Sequence, residues 1–379
     1  MYEPPMDPSD HPAKRFFTWF KDTATPLWMN VGYDHARGGF FEALDFQGAP
    51  ILGQPKRVRV QTRQIYVTSR ISAREWSADA EALSHEAFDF FLNNACPNDG
   101  AQGCVAMLTP EGEIADDTRD LYDQAFLLLA CARRYQTFKD ERALTLAEKT
   151  LIFLNKNLAS PHGGWLESNV GAQPRRQNPH MHLFEAFMAL FEATQDEQYL
   201  IEADKVYRLF TDHFFDRDNS ILREYFSVDL KPAPDRQGLW LEPGHMVEWT
   251  ALLNTYQKLR RVDTTERQKQ LFENAVAIGS DEQTGFLVDG FFFGETARGP
   301  RRLWPQTEYL KACAAIGDEK SAGRMIGKLF DTYLDQPVKG LWCDQFDEDG
   351  NPCVDQVPAS ILYHLVDAAL AVEIFLSAD

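Results

Sequence analysis

Residues 243–253 read PGHMVEWTALL: a proline and a glycine, then a histidine and a glutamate three apart, running into an apolar helical stretch. Proline suits a helix start, where its missing N–H leaves no partner wanting. His245 and Glu248 share one face of such a helix and can reach a common ligand. The pattern recurs along the chain. One polar residue from each cluster gives Arg63, Asp123, His182, His245, Glu308 and His364, separated by 60, 59, 63, 63 and 56 residues. A period near sixty accommodates two helices and their loops. Chemistry-capable residues at the same point of successive hairpins predict a closed all-α ring of six helical hairpins. Inner and outer rings would surround a shared polar mouth.

Working outward, 121–135, 144–154, 182–193, 200–214 and 246–259 carry helical apolar periodicity. Proline or glycine punctuates many of the starts: NPH at 178–180, EPGH at 242–245, WPQTE at 304–308 and VPAS at 357–360. The polar motifs therefore fall in loops and at helix N-termini, where the dipole favours oxyanions. Between helices lie Gly- and aromatic-rich segments: RGGFFEALDFQGAP (37–50), HGGWLES (162–168), DGFFFGE (289–295) and KGLWCDQFDEDGNP (339–352). These read as short β-hairpins or structured loops over the mouth. No composition break divides the chain, so a single domain over 1–379 is expected, with 1–15 loosely held.

Composition narrows the function classes. The apolar fraction is 44%, with 27 Phe, 12 Tyr and 8 Trp among 379 residues, enough for a large core. Aromatics can also stack on the apolar faces of sugars. The net charge is −19, from 38 basic and 57 acidic residues. Such a surface repels phosphate backbones and anionic membranes, so neither nucleic acid nor membrane is an expected partner. A local cluster such as Arg57, Arg59 and Arg63 can override that field. The six cysteines show no CxxC or zinc spacing and are expected to be reduced and mostly buried. The start MYEPPMDPSDHPAKRFF lacks a basic run followed by an apolar one, and no run reaches eighteen apolar residues. A cytoplasmic location is expected, and a homodimer is the prior for a soluble chain of this size.

The candidate chemistry is acid/base. A carboxylate near an imidazole orients it and raises its pKa, which suits His245 with Glu248. His180, His182 and Glu185, in NPHMHLFEAF, do not form HExxH, and histidines two apart diverge on a helix. One of the two is expected in the pocket, with no metal. His364 is a lone histidine on an apolar helix, ordinarily a satisfied core residue; its place in the sixth slot makes it a candidate. Arg63 sits in an apolar stretch, where it could hold a developing oxyanion. Asp123 and Glu308 stand at helix starts, where capping explains an acid equally well. No GxGxxG, Walker A, GxSxG or Cys/His nucleophile pattern occurs, so no cofactor is expected.

Together RVRVQTRQIY, DLYDQAFLLLA, NPHMHLFEAFMALFEAT, EPGHMVEWTALL, RLWPQTEYLKA and VPASILYHLVDA resemble the N-acylglucosamine 2-epimerase superfamily, from about residue 26 to the C-terminus. The resemblance implies an (α/α)6 barrel. It implies that His245 and His364 are the acid/base pair at C1–C2 of an opened sugar, with Arg63 on the enediolate oxygen. His182 and Glu248 would hold hydroxyls or assist ring opening. Tyr122, Asp123, Asn178, Trp304, Gln306 and Glu308 would complete the substrate-binding set. Gln124 departs from the histidine common after the Tyr-Asp pair, which concerns side chains behind the pocket. The implied activity is interconversion of an unphosphorylated aldose and ketose, D-mannose and D-fructose, through a cis-enediol(ate). The alternatives are an N-acyl-D-glucosamine 2-epimerase or another sugar 2-epimerase, and a non-catalytic sugar-binding barrel. A glycoside hydrolase on a similar barrel would use two carboxylates across the cleft and leave the paired histidines unexplained.

Overall fold

A computed structural model describes residues 11–376. Its helices are α1 (Pro12–Trp19), α2 (Thr25–Val31), α3 (Val58–Ala73), α4 (Ala80–Ala95), α5 (Leu121–Phe138), α6 (Glu141–Phe153), α7 (Gln177–Thr194), α8 (Glu197–Leu209), α9 (Pro243–Arg260), α10 (Thr265–Gly279), α11 (Leu303–Ile316), α12 (Glu319–Thr332) and α13 (Leu362–Ala371). Helices α3, α5, α7, α9, α11 and α13 each pack on the next, and α13 returns to α3, closing an inner ring. Helices α4, α6, α8, α10 and α12 pack outside the inner helix that precedes them.

The sixth outer place is filled from the other end of the chain. Among the described residues no further long helix follows α13, and α1 packs against α13 and α12 instead. Of the stretch expected to be loose, residues 1–10 lie outside the described residues. Pro12–Arg15 form the first turn of α1, with Ala13 buried.

Sequence explains which helices go inside. In α5 the run Asp123–Ala132 is buried throughout, and Ala125, Ala130, Cys131 and Ala132 let neighbours approach closely. Outer α12 is one-sided: Ala322, Met325, Ile326 and Leu329 are buried at helical spacing. The window Ala359–Leu376 is apolar and long enough to cross a membrane by composition, with mean hydropathy 1.7, yet 61% of it is buried inside the protein. Five cysteines are buried, Cys353 is exposed, and none is disulfide-bonded.

The loops over the inner helices repeat one hydrogen bond. The first N–H groups of a helix lack intrahelical partners. Here a carbonyl from the following unit accepts the first one: Val58 to Ala106 (3.0 Å), Leu121 to Glu167 (2.8 Å), Gln177 to Glu224 (3.1 Å), Leu303 to Asp344 (2.9 Å) and, across the ring closure, Ala359, which opens the 3-10 turn Ala359–Ile361 leading into α13, to Glu42 (2.9 Å). The remaining helix, α9, starts with Pro243, which has no N–H to satisfy. Short strands cover this face. Met107–Leu108 with Ile114–Asp116 is a local hairpin. Other pairs join loops of different units, as Ala43–Leu44 with Val357–Pro358 and Arg301–Arg302 with Gln345–Phe346.

One turn into the helices, a second set of bonds holds each loop to its own helix. The Gln61 amide pairs with the backbone N–H and C=O of Phe40 (2.7 and 2.9 Å), Gln124 with Cys104 (2.9 and 2.9 Å), and Gln306 with Leu287 (3.0 and 2.7 Å). His180 holds the same position in α7. Its Nε2 accepts the Trp165 N–H at 3.1 Å while Nδ1–H donates to the Arg176 carbonyl at 3.0 Å. Gln306→Leu leaves two buried backbone groups without partners and should destabilise the fold by about 2–6 kcal/mol, at about 1–3 kcal/mol for each group. Denaturant unfolding of the variant beside wild type measures it, and an unchanged midpoint would contradict the assignment.

Candidate active site

A cavity of 460 Å³ opens at the N-terminal ends of the inner helices. Beneath it the inner helices present one layer of side chains in register, and four of the six line the cavity. The residue six places after the helix-preceding position is Arg63, Phe126, His182, Glu248, Glu308 and His364 in turn. Asp123 and His245 stand one helical turn before this layer, so the six residues that reveal the period belong to two levels of the barrel. Arg63, Tyr122, Asn178, His182, His245, Glu248, Trp304 and His364 all line the cavity.

Three sequence candidates stand behind the wall. Asp123 is fully buried and taken up by Arg59, whose Nε lies 3.0 Å from its carboxylate; burial pushes its pKa to about 7 despite that charge. Gln306 is committed to the Leu287 backbone. Glu308 is fully buried and accepts from His364 Nδ1 at 2.7 Å, with Lys311 Nζ at 2.8 Å on its other oxygen. Gln124, the departure from the family pattern, is the loop lock described above. His182 faces the pocket and His180 does not.

The two principal histidines carry opposite electrostatics. His245 is 4% exposed, and burial alone would lower its pKa. The carboxylates of Glu224 (Oε2 3.1 Å from Nδ1) and Glu242 (3.5 Å), with Glu248, overcome burial and hold it at about 9. His364 is pushed well below the usual imidazole range by burial, then by the charges of Arg63 and Lys311. With Nδ1–H donated to Glu308, its Nε2 keeps a free lone pair. Trp304 lies between them, its ring 5.1 Å from His245 and 5.7 Å from His364 by centroid. A Cβ at position 244 would come within 2.5 Å of the Trp304 ring, which explains the glycine beside His245.

His182 is buried and held at about 4, its Nδ1 3.3 Å from Glu185 and 4.0 Å from Glu248. Arg63 donates to the Tyr122 hydroxyl at 2.6 Å, and its guanidinium carbon lies 4.2 Å from the Phe126 ring centroid. The sequence reading missed a second series, in the loops. Equivalent positions carry Glu42, Ala106, Glu167, Glu224, Asp289 and Asp344. Glu42, Glu167 and Asp289 each clamp an arginine at the mouth, accepting its backbone N–H and its Nε: Arg57 (2.7 and 2.6 Å), Arg176 (2.7 and 2.6 Å) and Arg302 (2.7 and 2.9 Å). Glu224 orients His245. Asp344 lines the cavity, its Oδ1 has no hydrogen-bond partner among the described residues, and burial lifts its pKa to about 7. The available signal was a Gly- and aromatic-rich stretch ending in an acid, as in GGFFE, GGWLE and GFLVD.

Among the described residues, His182 with Glu185 and Glu248, and His245 with Glu224 and Glu242, are close enough to share a metal ion. Spacing alone had not supplied the acids from neighbouring units. Lys311 adds positive charge beside Glu185 and Glu248, which opposes a cation at the first group. At the second, a cation would compete with the proton on His245. These groups also serve as oriented imidazoles. A proton NMR titration of the ring signals should show His245 charged at neutral pH and losing its proton near pH 9. Glu224→Gln should move that transition down; an ordinary midpoint in wild type would contradict the assignment.

A sequence profile of the N-acylglucosamine 2-epimerase (GlcNAc 2-epimerase) family matches residues 39–368. The chain is 33% identical over 371 residues to the mannose-6-phosphate isomerase of Rhizobium meliloti (strain 1021), spanning 94% of this chain and 95% of that one. It is 25% identical over 340 residues to the D-mannose isomerase of Thermobifida fusca, spanning 83% of each. A crystal structure of a D-mannose isomerase superposes with a TM-score of 0.84 at 22% identity, over 98% of this chain and 99% of that one. The ring of hairpins is thus the (α/α)6 barrel. The chain belongs to the N-acylglucosamine 2-epimerase family of carbohydrate isomerases and epimerases.

Proposed function

We propose that the protein interconverts an unphosphorylated aldose and its ketose, D-mannose and D-fructose, through a cis-enediol(ate). The observation that carries this reading is the pair His245 and His364, one charged and one neutral, flanking one indole in a single cavity. The neutral Nε2 of His364 takes the C2 proton of the open-chain aldose. His245 and Arg63 hold the C1 oxygen as it gains negative charge, and His245 supplies its proton. His364 then returns its proton to C1 while the C2 oxygen becomes the carbonyl and gives its proton back to His245. Protons and electrons balance without a co-reactant. His182, Glu248, Tyr122, Asn178 and Trp304 hold the sugar, and the reaction needs neither metal nor other cofactor.

The uncharged substrate is supported by the mouth arginines, each already engaged with a carboxylate, and by Glu242 and Asp344 in the cavity wall. The relative named for mannose 6-phosphate makes the phosphorylated sugar the second reading, and the family name makes 2-epimerisation the third. A small sugar as the partner, without nucleic acid or membrane, agrees with the net charge of −19. A cytoplasmic homodimer completes the proposal.

Proton NMR in D2O with D-mannose, mannose 6-phosphate and N-acetylglucosamine in parallel tubes decides among these. Fructose from mannose supports the proposal. Turnover of the phosphate alone selects the second reading, and N-acetylmannosamine the third. His364→Ala should abolish solvent exchange at C2 in a folded protein; retained exchange would remove His364 from the step. The rate should survive a chelator and fall as pH rises through about 9, where His245 loses its proton.

A further inference from the structure

Lys311 is a lysine where charge is expensive. Its side chain is 11% exposed, and its ammonium lies 2.8 Å from Glu308 Oε2. The other oxygen of Glu308 accepts from His364 Nδ1 at 2.7 Å. The chain lysine–carboxylate–imidazole therefore ends at the lone pair assigned to C2.

Glu308 has a competitor for negative charge. Glu248 is 1% exposed, and its Oε1 has no hydrogen-bond partner among the described residues. Two neighbouring buried carboxylates do not both ionise readily. Burial raises both pKa values. The charge of Glu308 adds to the rise at Glu248, whereas at Glu308 the next influence is Lys311, which opposes it. The other acids facing Lys311 are engaged elsewhere. Glu185, from α7, meets His182 (3.3 Å) and the Tyr363 hydroxyl (2.6 Å). Asp367, from α13, meets the Tyr66 hydroxyl (2.8 Å) and Arg70 (3.4 Å). Lys311 also lies 5.7 Å from the Tyr363 ring centroid.

We propose that Lys311 is a positioning residue that assigns the protons of two buried carboxylates: its ion pair keeps Glu308 ionised behind His364 and leaves Glu248 a neutral acid facing the sugar. Glu248 then donates a hydrogen bond to a substrate oxygen, while ionised Glu308 stabilises the imidazolium that forms on His364. This rests on the reading of His364 as the base.

The test has two arms. Infrared difference spectra of the sugar-free protein in D2O near neutral pH need no substrate, so they stand apart from the mannose reading. Glu248→Gln should remove a protonated-carboxyl band and Glu308→Gln an ionised-carboxylate band. The reverse assignment, or two ionised bands, would overturn the proposal. In the second arm, Lys311→Met should lower kcat on D-mannose roughly 100-fold with little change in KM. Losing the ammonium lets Glu308 take up a proton, so His364 loses the carboxylate charge beside it and the acid limb of the profile should move to lower pH. Lys311→Arg should keep the limb in place. A folded Lys311→Met protein with an unmoved limb would overturn the proposal, and the infrared arm decides if that variant fails to fold.

Discussion

Each inner helix but one hands its first N–H to a carbonyl in the loop of the next hairpin. This single bond, repeated around the ring, accounts for much else. It satisfies a donor that would be costly to bury unpaired. It also fixes where each loop crosses the neighbouring helix. Since the loop residue offering the carbonyl also points its own side chain back toward its own helix, the stitch sets the place of the acid series as well. Glu42 and Glu167 meet arginines and Glu224 meets His245 because of it, while Asp289, opposite Pro243, reaches Arg302 without the stitch.

The proposed chemistry arises from two environments imposed on one side-chain type. Burial acts on both His245 and His364 to disfavour charge. Around His245 the loops bring carboxylates, and they win. Around His364 the close carboxylate is itself bound to an ammonium, and the neighbouring cations reinforce burial. Separating the proton affinities of like groups in one pocket is how a site obtains an acid and a base at one pH.

Much of this was legible in sequence, for definable reasons. The sixty-residue period survives because each hairpin starts with the same polar turn. Arg63, His182, His245 and His364 stood out as charged or titratable groups on apolar helices, and all four line the cavity. Gln306 misled because it is polar and near a helix start, yet it lies two residues before Glu308 and so about 200° around the helix from it. Asp123 misled because Arg59, on another helix, reaches it first. The acid series was illegible because its residues lie in loops without periodicity, and their partners sit nine to twenty-one residues away. The sixth outer helix was illegible because its contacts join opposite ends of the chain.

That last feature bears on how the molecule is made. During synthesis α1 emerges ahead of both its partners, α12 and α13, which are the last helices of the ring. The helix carrying His364 is also the one that α1 must cover. Five hairpins can stack during synthesis, but the ring stays open until α13 leaves the exit tunnel. The pocket thus acquires His364 in the same event that joins α13 to α1 and α3, and before it His245 has no partner histidine across Trp304.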